Sequence, residues 1–583
     1  MSRLSVDQKN IGALFSDKKS NFVIPDYQRP YAWTEEQCQT LWEDILLFAF
    51  PDNNKDKFKE DDEYYLGPIV TYKNNDEKLE VIDGQQRLTT LMLLLRAFYV
   101  EFSNEKIEDD EIIETRKYIA KCIWKTNEFG KIIDNNLLKI NSEVATDNDK
   151  EEFLEILKTG ETRPEQKSKY AKNYRFFQEK IKAFINDGYW KFLSYFPTRI
   201  LNNCIMLPIE ADNQDTALRI FSTLNDRGLP LSDADIFKAQ FYKYYSSRGE
   251  KDAFIRKWKE LEEKCEKIFH PIQGTPMDEL FTRYMYYERA KQGIKSSTTE
   301  ALRKFYEKDE YALLRKEETL NNLSALTDFW IDISNQDEDK FSERILKKLF
   351  VLNYAPNGMW NYFVSVYFMQ NKNEKNELDE EKFYNFLDTI IPFIWAYAVY
   401  NPGVNALRTP VYAEMINIVQ NKEVKFEEFT FDYNAIKNSL ENYRYYNQRP
   451  VTKSMLTWWA YENPKQELLD LSYVFEIEHI FAKKREENEN KLSIKENLES
   501  LGNKSLLEKR INIRVSDYRF QDKKKYYKGF INNRNEEKKG TEIEELVNLA
   551  DTKEDFVEED IENRKETMIS EFLKYMRRRN LIK

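Results

Sequence analysis

Only 15 glycines and 16 prolines interrupt a chain of 583 residues. The long stretches between them are rich in Glu and Lys and carry apolar residues at helical spacing, which demands a mostly α-helical protein. From about residue 250 to 440 one such segment follows another, for example "KDAFIRKWKELEEKCEKIF" and "EEKFYNFLDTIIPFIWAYAVY". Strand signals gather in "NFVIP", "GPIVTY", "KLEVID" and, much later, "YVFEIEHI". The expected fold class is mainly α with α+β end domains. At roughly 150 residues per core, the length suggests three or four units. The pattern draws them as a mixed α/β unit over 1–245, a helical middle domain over 246–440, and a C-terminal unit over 441–583.

No apolar run reaches the roughly 20 residues that cross a bilayer. The start, "MSRLSVDQKNIGALF", lacks the apolar stretch and cleavage site of a secretory signal. A cytoplasmic protein without membrane contact is expected. Cys38, Cys122, Cys204 and Cys265 lie far apart with no Cys-x-x-Cys pair, against zinc and against a disulfide framework, and are expected as reduced core residues. The net charge of −12 does not attract a polyanion, so any nucleic-acid surface has to be local. Between Lys504 and Gly540, twelve Lys and Arg outnumber five Asp and Glu, interleaved with Tyr518, Phe520, Tyr526, Tyr527 and Phe530. Its candidate DNA contacts are Lys504, Lys509, Arg510, Arg514, Lys523, Lys524 and Lys525. A charge run is usually a solvated face; this one gains weight from what precedes it.

The segment "FEIEHIFAKK" holds one of the chain's two histidines. Glu478 and His479 stand at the end of an alternating apolar strand, Asn503 follows in "LGNKSLLEKRIN", and Asn512 comes nine residues after Asn503. An acidic residue with His, then Asn, then Asn nine further on is the spacing of an HNH, or ββα-metal, nuclease. The chemistry explains the residue types. Imidazole titrates near neutrality and can take a proton from water, which assigns His479 as general base. A hard cation, Mg²⁺ or Mn²⁺, prefers oxygen ligands, here Glu478 and Asn512, and neutralises charge on a leaving oxygen. Asn503 is expected to hydrogen-bond within the loop and keep the imidazole aimed. The basic patch then lies where phosphate contacts are needed. A lone His beside Ile is more often a satisfied core residue; the two asparagines argue otherwise. His270 has no such neighbourhood and is read as structural.

Three earlier stretches also stand out. In "IPDYQRPYAW", Pro25 and Pro30 hold the chain extended around Tyr27, Gln28 and Arg29. In "LEVIDGQQRLTTLMLLL" a strand ends at Asp83, Gly84 turns the chain, and a helix begins under Gln85, Gln86 and Arg87. Free N–H groups at a helix start beside an arginine form a phosphate site. In "IFSTLNDRGLPLSDADIFKAQ", Asn225, Arg227 and Gly228 make a turn, and Ser232 with Asp235 reads as a capping box. Singly each stretch has a bland reading as turn or core cover. Together they suit the phosphates and sugar of a nucleotide. No Walker A pattern is present, which disfavours a P-loop ATPase.

These residues resemble the GmrSD family of modification-dependent restriction endonucleases, in the single-chain form that joins S-like and D-like halves, over nearly the whole chain. The resemblance implies a ParB/sulfiredoxin-like N-terminal domain with an NTP site at Tyr27, Gln28, Arg29, Asp83, Gly84, Gln85, Gln86 and Arg87, with Asn225 and Arg227 beside the same pocket. It implies a His-Asn-Asn nuclease at His479, Asn503 and Asn512. Glu478 stands where related HNH enzymes often have Asp, and Ala482 where many members have Pro. The implied activity is NTP-regulated, metal-dependent cleavage of double-stranded phage DNA carrying modified bases such as glucosylated hydroxymethylcytosine; a homo-oligomer is compatible with the sequence. Two other readings stay open: a nucleotide-dependent DNA-binding clamp or sensor without nuclease activity, and an NTPase acting on protein or RNA.

Overall fold

A computed structural model describes residues 5–104, 110–187, 189–214, 216–217, 220, 232–403, 405–515 and 519–583. The chain is mostly helical with one mixed sheet and two small hairpins. It divides into two compact units, Met1–Lys259 and Glu260–Lys583.

The first unit is built on strands β1 (Ser5–Val6), β2 (Lys9–Asn10), β3 (Phe22–Ile24), β4 (Tyr64–Lys73), β5 (Leu79–Asp83), β6 (Ile140–Ser142) and β7 (Cys204–Ala211). Their order is β1-β7-β4-β5-β3-β6, with β2 also on β7. β3 runs parallel to β5 and β6, β4 antiparallel to β5 and parallel to β7. The three N-terminal strand signals of the sequence correspond to β3, β4 and β5. β7 escaped notice because Pro208 sits inside it, and proline cannot donate to a ladder. The structure accommodates it where the neighbour changes: β1 pairs at Ile209 and Glu210, β2 at Ile205 and Met206. Pro208 carbonyl accepts from Asp7 N at 3.2 Å on that side, so the missing N–H faces the gap between the two short strands.

The helix Gln85–Asn104 follows β5 directly. Leu88, Leu91, Met92, Leu93, Leu94 and Leu95 on it are all buried, so it is apolar all round and runs through the core. Each such side chain contributes on the order of 1.5–3 kcal/mol of burial, and this pins the helix start against the end of β5. Gly84 makes the junction at φ +92°, a backbone conformation that costs glycine little.

The second unit contains both the helical stretch expected as a separate middle domain and the C-terminal segment. Residues 246–259 group with the first compact unit, and the stretches on either side of residue 440 lie together in the second. The reason is a shared core: Phe350, from the helix Glu343–Asn353, packs in one cluster with Phe475, Leu506 and Leu507. Ser454 Oγ donates to Tyr354 O at 2.6 Å, adding a polar tie across the expected boundary. Here β8 (Phe475–His479) pairs antiparallel with β9 (Lys504–Glu508), and β10 (Gly529–Ile531) with β11 (Glu537–Lys539). The short helix Lys509–Val515 leaves β9 at once, and the helix Phe520–Lys528 follows. The last long helix, Glu558–Arg578, crosses the turn before β9 so closely that a Cβ on Gly502 would lie 1.9 Å from Ile561 O. That approach explains the glycine in "LGN". All four cysteines are buried and free. Among the described residues no helix is long and apolar enough to cross a membrane.

Candidate active site

β8 delivers Glu478 and His479 side by side, and successive strand side chains point to opposite faces. His479 pairs with Lys504 across the hairpin, and both side chains meet Glu499. His479 Nε2 is 3.4 Å from Glu499 Oε2, and Lys504 Nζ donates to the same oxygen at 2.7 Å; Lys483 pairs with the other carboxylate oxygen. Burial, and then the Lys504 charge, push the imidazole down to about 4 against the pull of Glu499, so His479 is neutral at pH 7. Burial works against the Glu499 charge, but Lys483 and Lys504 outweigh it and hold the carboxyl at about 2. An ionised carboxylate only accepts. The contact therefore puts hydrogen on Nε2 and the lone pair on Nδ1.

Glu499 and Lys483 were not singled out from the sequence. Glu499 is 20 residues from His479, and the available hint was an acidic residue just ahead of "LGN". Lys504, expected on DNA, is fully buried; it donates to Glu499 and, at 2.6 Å, to Tyr445 O. Its register opposite His479 puts it under the site, out of reach of a phosphate.

Asn503 is fully buried. Its Oδ1 accepts from Phe481 N at 2.7 Å, and its Nδ2 donates to Phe481 O at 3.0 Å and Leu498 O at 2.9 Å. Its carbonyl accepts from Ile480 N at 2.9 Å. The side chain thus locks the residues just after His479 onto the turn before β9. Arg564 holds the same turn by donating to Leu501, Gly502 and Lys504 carbonyls. Asn503→Ala removes three hydrogen bonds, two of them buried, and strands their backbone partners; a loss of roughly 3 kcal/mol is expected in urea unfolding.

Glu478 lies on the other face. It is 5% exposed, and its Oε1 accepts from Lys523 Nζ at 2.7 Å and Tyr527 OH at 2.8 Å. Lys523 Nζ also donates to His479 O at 2.5 Å. Asn512, on the helix Lys509–Val515, donates from Nδ2 to Glu476 Oε2 at 2.9 Å, and Glu476 shares the Glu478 face by strand alternation. The pair expected to bind Mg²⁺ or Mn²⁺ does not fit. The Glu478 carboxylate is already neutralised by an ammonium, and Asn512 stands with Glu476 on the face that His479 does not share. Among the described residues, no group of three or more His, Cys, Asp or Glu is placed to hold a metal ion. Lys523, expected on DNA, is likewise a buried ion-pair partner. Lys509, Arg510 and Lys525 are exposed, and Arg514 and Lys524 half-buried, with Lys524 Nζ on Lys553 O at 2.7 Å.

In the first unit the polar segments converge on the β5–helix junction. Gln86 Oε1 accepts from Ala32 N at 2.7 Å and Trp33 N at 3.3 Å, and its Nε2 donates to Pro30 O at 3.2 Å. Gln28 Nε2 donates to Ile82 O at 3.2 Å. Tyr27 is buried with Val70, Ile82 and Tyr242. Gln28 and Gln86, expected on a nucleotide, are spent on holding the "IPDYQRPYAW" segment against the junction, while Tyr27 packs there with its hydroxyl unpartnered among the described residues. Arg29, Asp83 and Arg87 are half-buried at its rim. Burial raises the Asp83 carboxyl despite Arg87, the Gly84 N–H and Arg29. Arg87 is 3.6 Å from Asp83 and donates from Nη1 to Leu66 O at 2.9 Å. Gln85, first residue of the helix, is 6% exposed, and its Oε1 has no partner among the described residues. Asn225 and Arg227 lie outside the described residues. The capping box is formed: Ser232 Oγ accepts from Asp235 N, and Asp235 Oδ2 from Ser232 N, both at 3.1 Å. His270, read as structural, is exposed.

These elements define a largely helical protein of two units, one with a basic helix start and the other with a histidine-bearing hairpin followed by a helix. Residues 11–242 match the GmrSD restriction endonuclease, N-terminal domain, and residues 430–571 match the GmrSD restriction endonucleases, C-terminal domain. The two matches cover almost two thirds of the chain, and it belongs to the GmrSD restriction endonuclease family. It is also similar to the uncharacterized protein MJ0686 of Methanocaldococcus jannaschii, 24% identical over 269 residues. That match spans 42% of this chain and 43% of its relative, less than half of either.

Proposed function

We propose that the protein is a restriction endonuclease of antiphage defence that hydrolyses double-stranded DNA, with an HNH-type C-terminal site and a ParB/sulfiredoxin-like N-terminal domain whose bound NTP controls the cut. The observation that carries this reading is the position of His479: a neutral imidazole at a strand end, inside the segment that matches the family's C-terminal domain. Nδ1 takes the proton of the attacking water while Glu499 holds Nε2. Asn503 fixes the loop, and Lys483, half-exposed and paired with Glu499 beside the imidazole, would meet an incoming phosphate. The phosphodiester's negative charge raises the imidazole pKa as it binds and makes it a better base. In the first unit, Arg29, Arg87 and the start of the helix Gln85–Asn104 would hold the nucleotide phosphates, and Gln85 Oε1 offers an acceptor to a ribose or base. The substrate in this reading is modified phage DNA, such as DNA with glucosylated hydroxymethylcytosine. A requirement for Mg²⁺ or Mn²⁺ belongs to the proposal, without Glu478 as a ligand.

A second reading is favoured by one observation, the neutralisation of Glu478 by Lys523. It makes the protein a nucleotide-dependent DNA sensor that binds without cutting. One experiment separates the two: glucosylated and unmodified phage DNA are incubated with the full-length protein, each NTP in turn, and Mg²⁺, Mn²⁺ or EDTA. The nuclease reading expects fragments from modified DNA only when nucleotide and cation are both present. Retention of DNA in a mobility shift with no fragments under any combination establishes the sensor instead.

A further inference from the structure

Arg283 lies in the middle of the helix Pro276–Lys291 and is 6% exposed. Its Nε donates to Glu279 Oε1 at 2.9 Å, and Tyr362 OH donates to the other oxygen of that carboxylate at 3.3 Å. The guanidinium carbon sits 4.4 Å from the Phe269 ring centroid and 4.3 Å from that of Trp330. The plane of the guanidinium is thus fixed, but its outer edge is not used. Nη1 is buried with no hydrogen-bond partner among the described residues, and Glu279 is the hydrogen-bonding partner of the side chain there. A buried donor left unmade costs about 1–3 kcal/mol, and more when charged. Native proteins rarely leave such a group without a water or a ligand.

Arg283 also lines a cavity of about 240 Å³. Trp330, Trp360, Phe269, Leu346 and Leu349 supply flat and apolar wall, and Asn361 a polar one. Among the described residues Arg283 is the one charged residue on that wall. Glu279 balances its charge, so the selection comes from the unused donors of the guanidinium, which call for a ligand with paired oxygen acceptors. The planar fork of Arg matches the two oxygens of a carboxylate or phosphate. The volume is below the roughly 300–1,000 Å³ of drug-sized sites, so the rest of the ligand is small.

We infer that this cavity binds a small organic anion: a flat body of one or two rings, held between the tryptophan and phenylalanine walls, with one carboxylate or phosphate on Arg283. The site shares no residue with the His479 cluster, so it stands or falls independently of the nuclease reading.

The test is isothermal titration of the full-length protein with indole-3-acetate, with phenyl phosphate, and with neutral indole-3-acetamide. At least one anion is expected to saturate a single site, tenfold or more tighter than the amide; which anion does so identifies the headgroup. Arg283→Lys keeps the charge but loses the fork and is expected to weaken that anion at least tenfold. Because Arg283 is buried, Asn361→Asp at the half-buried wall gives a second route. It is expected to weaken the anion at least tenfold and leave the amide unchanged. If both anions bind no better than the amide, or if both variants bind them as the parent does, the inference is overturned and water completes the guanidinium.

Discussion

His479→Ala is expected to slow DNA cleavage by roughly 10²- to 10⁴-fold, the range that a positioned general base contributes. DNA and NTP binding should stay within about twofold of the parent. The expectation follows from the geometry at the end of β8. The imidazole is neutral, Glu499 occupies Nε2, and Nδ1 carries the lone pair. The measurement is single-turnover cleavage of modified DNA at saturating nucleotide and cation. Cleavage by the variant at the parental rate would remove His479 from the chemistry. The pH dependence has a definite sign. The base works when deprotonated and its pKa is pushed down to about 4, so kcat/KM, which reports the free enzyme, should stay level from pH 8 to 5. An acid limb appears only as pH approaches 4. Glu499→Gln removes the carboxylate and leaves Lys504 and Lys483 facing the ring, so protonation becomes still harder and no acid limb should appear above pH 4.

What the sequence revealed and what it hid divide along one physical line. Features set by neighbours in the chain were legible. The scarcity of Gly and Pro gave the helices, β-branched and aromatic runs gave β3, β4 and β5, alternation gave β8, and Asp-Gly before "QQRLTTLMLLL" gave the strand-to-helix junction that Gly84 makes at positive φ. The Ser232–Asp235 capping box was legible for the same reason. Features set by distant packing were not. "KSLLE" has no β-branched or aromatic residue and is buried at every position, so nothing in it reads as a strand and β9 was missed. Charge composition is silent about burial, which is why Lys504 and Lys523 read as DNA contacts although each is sealed beneath the hairpin in an ion pair. Gln28 and Gln86 read as ligand contacts for a related reason: an amide that satisfies backbone groups more than 50 residues away looks, in sequence, like one that satisfies a nucleotide. The middle and C-terminal segments differ in composition, but Phe350 and Phe475 share a core, and composition does not register that.

The largest stability effect is expected at Glu478 and Lys523. Both are nearly fully buried, and Tyr527 OH supplies the carboxylate with a second donor. Lys523→Met leaves an uncompensated carboxylate in the core and should cost about 3–5 kcal/mol in urea unfolding. Glu478→Met should cost a similar amount, because it strands the ammonium. The double variant Glu478→Met/Lys523→Met removes both charges, and much of the loss should return, since replacing a buried pair by apolar residues of similar size is often neutral or better. The cycle also decides the role of Glu478 in a way that a single substitution cannot. If the residue is structural, the refolded double variant keeps the parental midpoint in a Mg²⁺ or Mn²⁺ titration of cleavage. Its rate falls only by what the lost bond from Lys523 to the His479 carbonyl costs in alignment. If the double variant is as stable as the parent but needs far more cation, the carboxylate does bind metal. Lys523 then has to leave it when DNA arrives, and the ion pair is the resting state of a site that opens on its substrate.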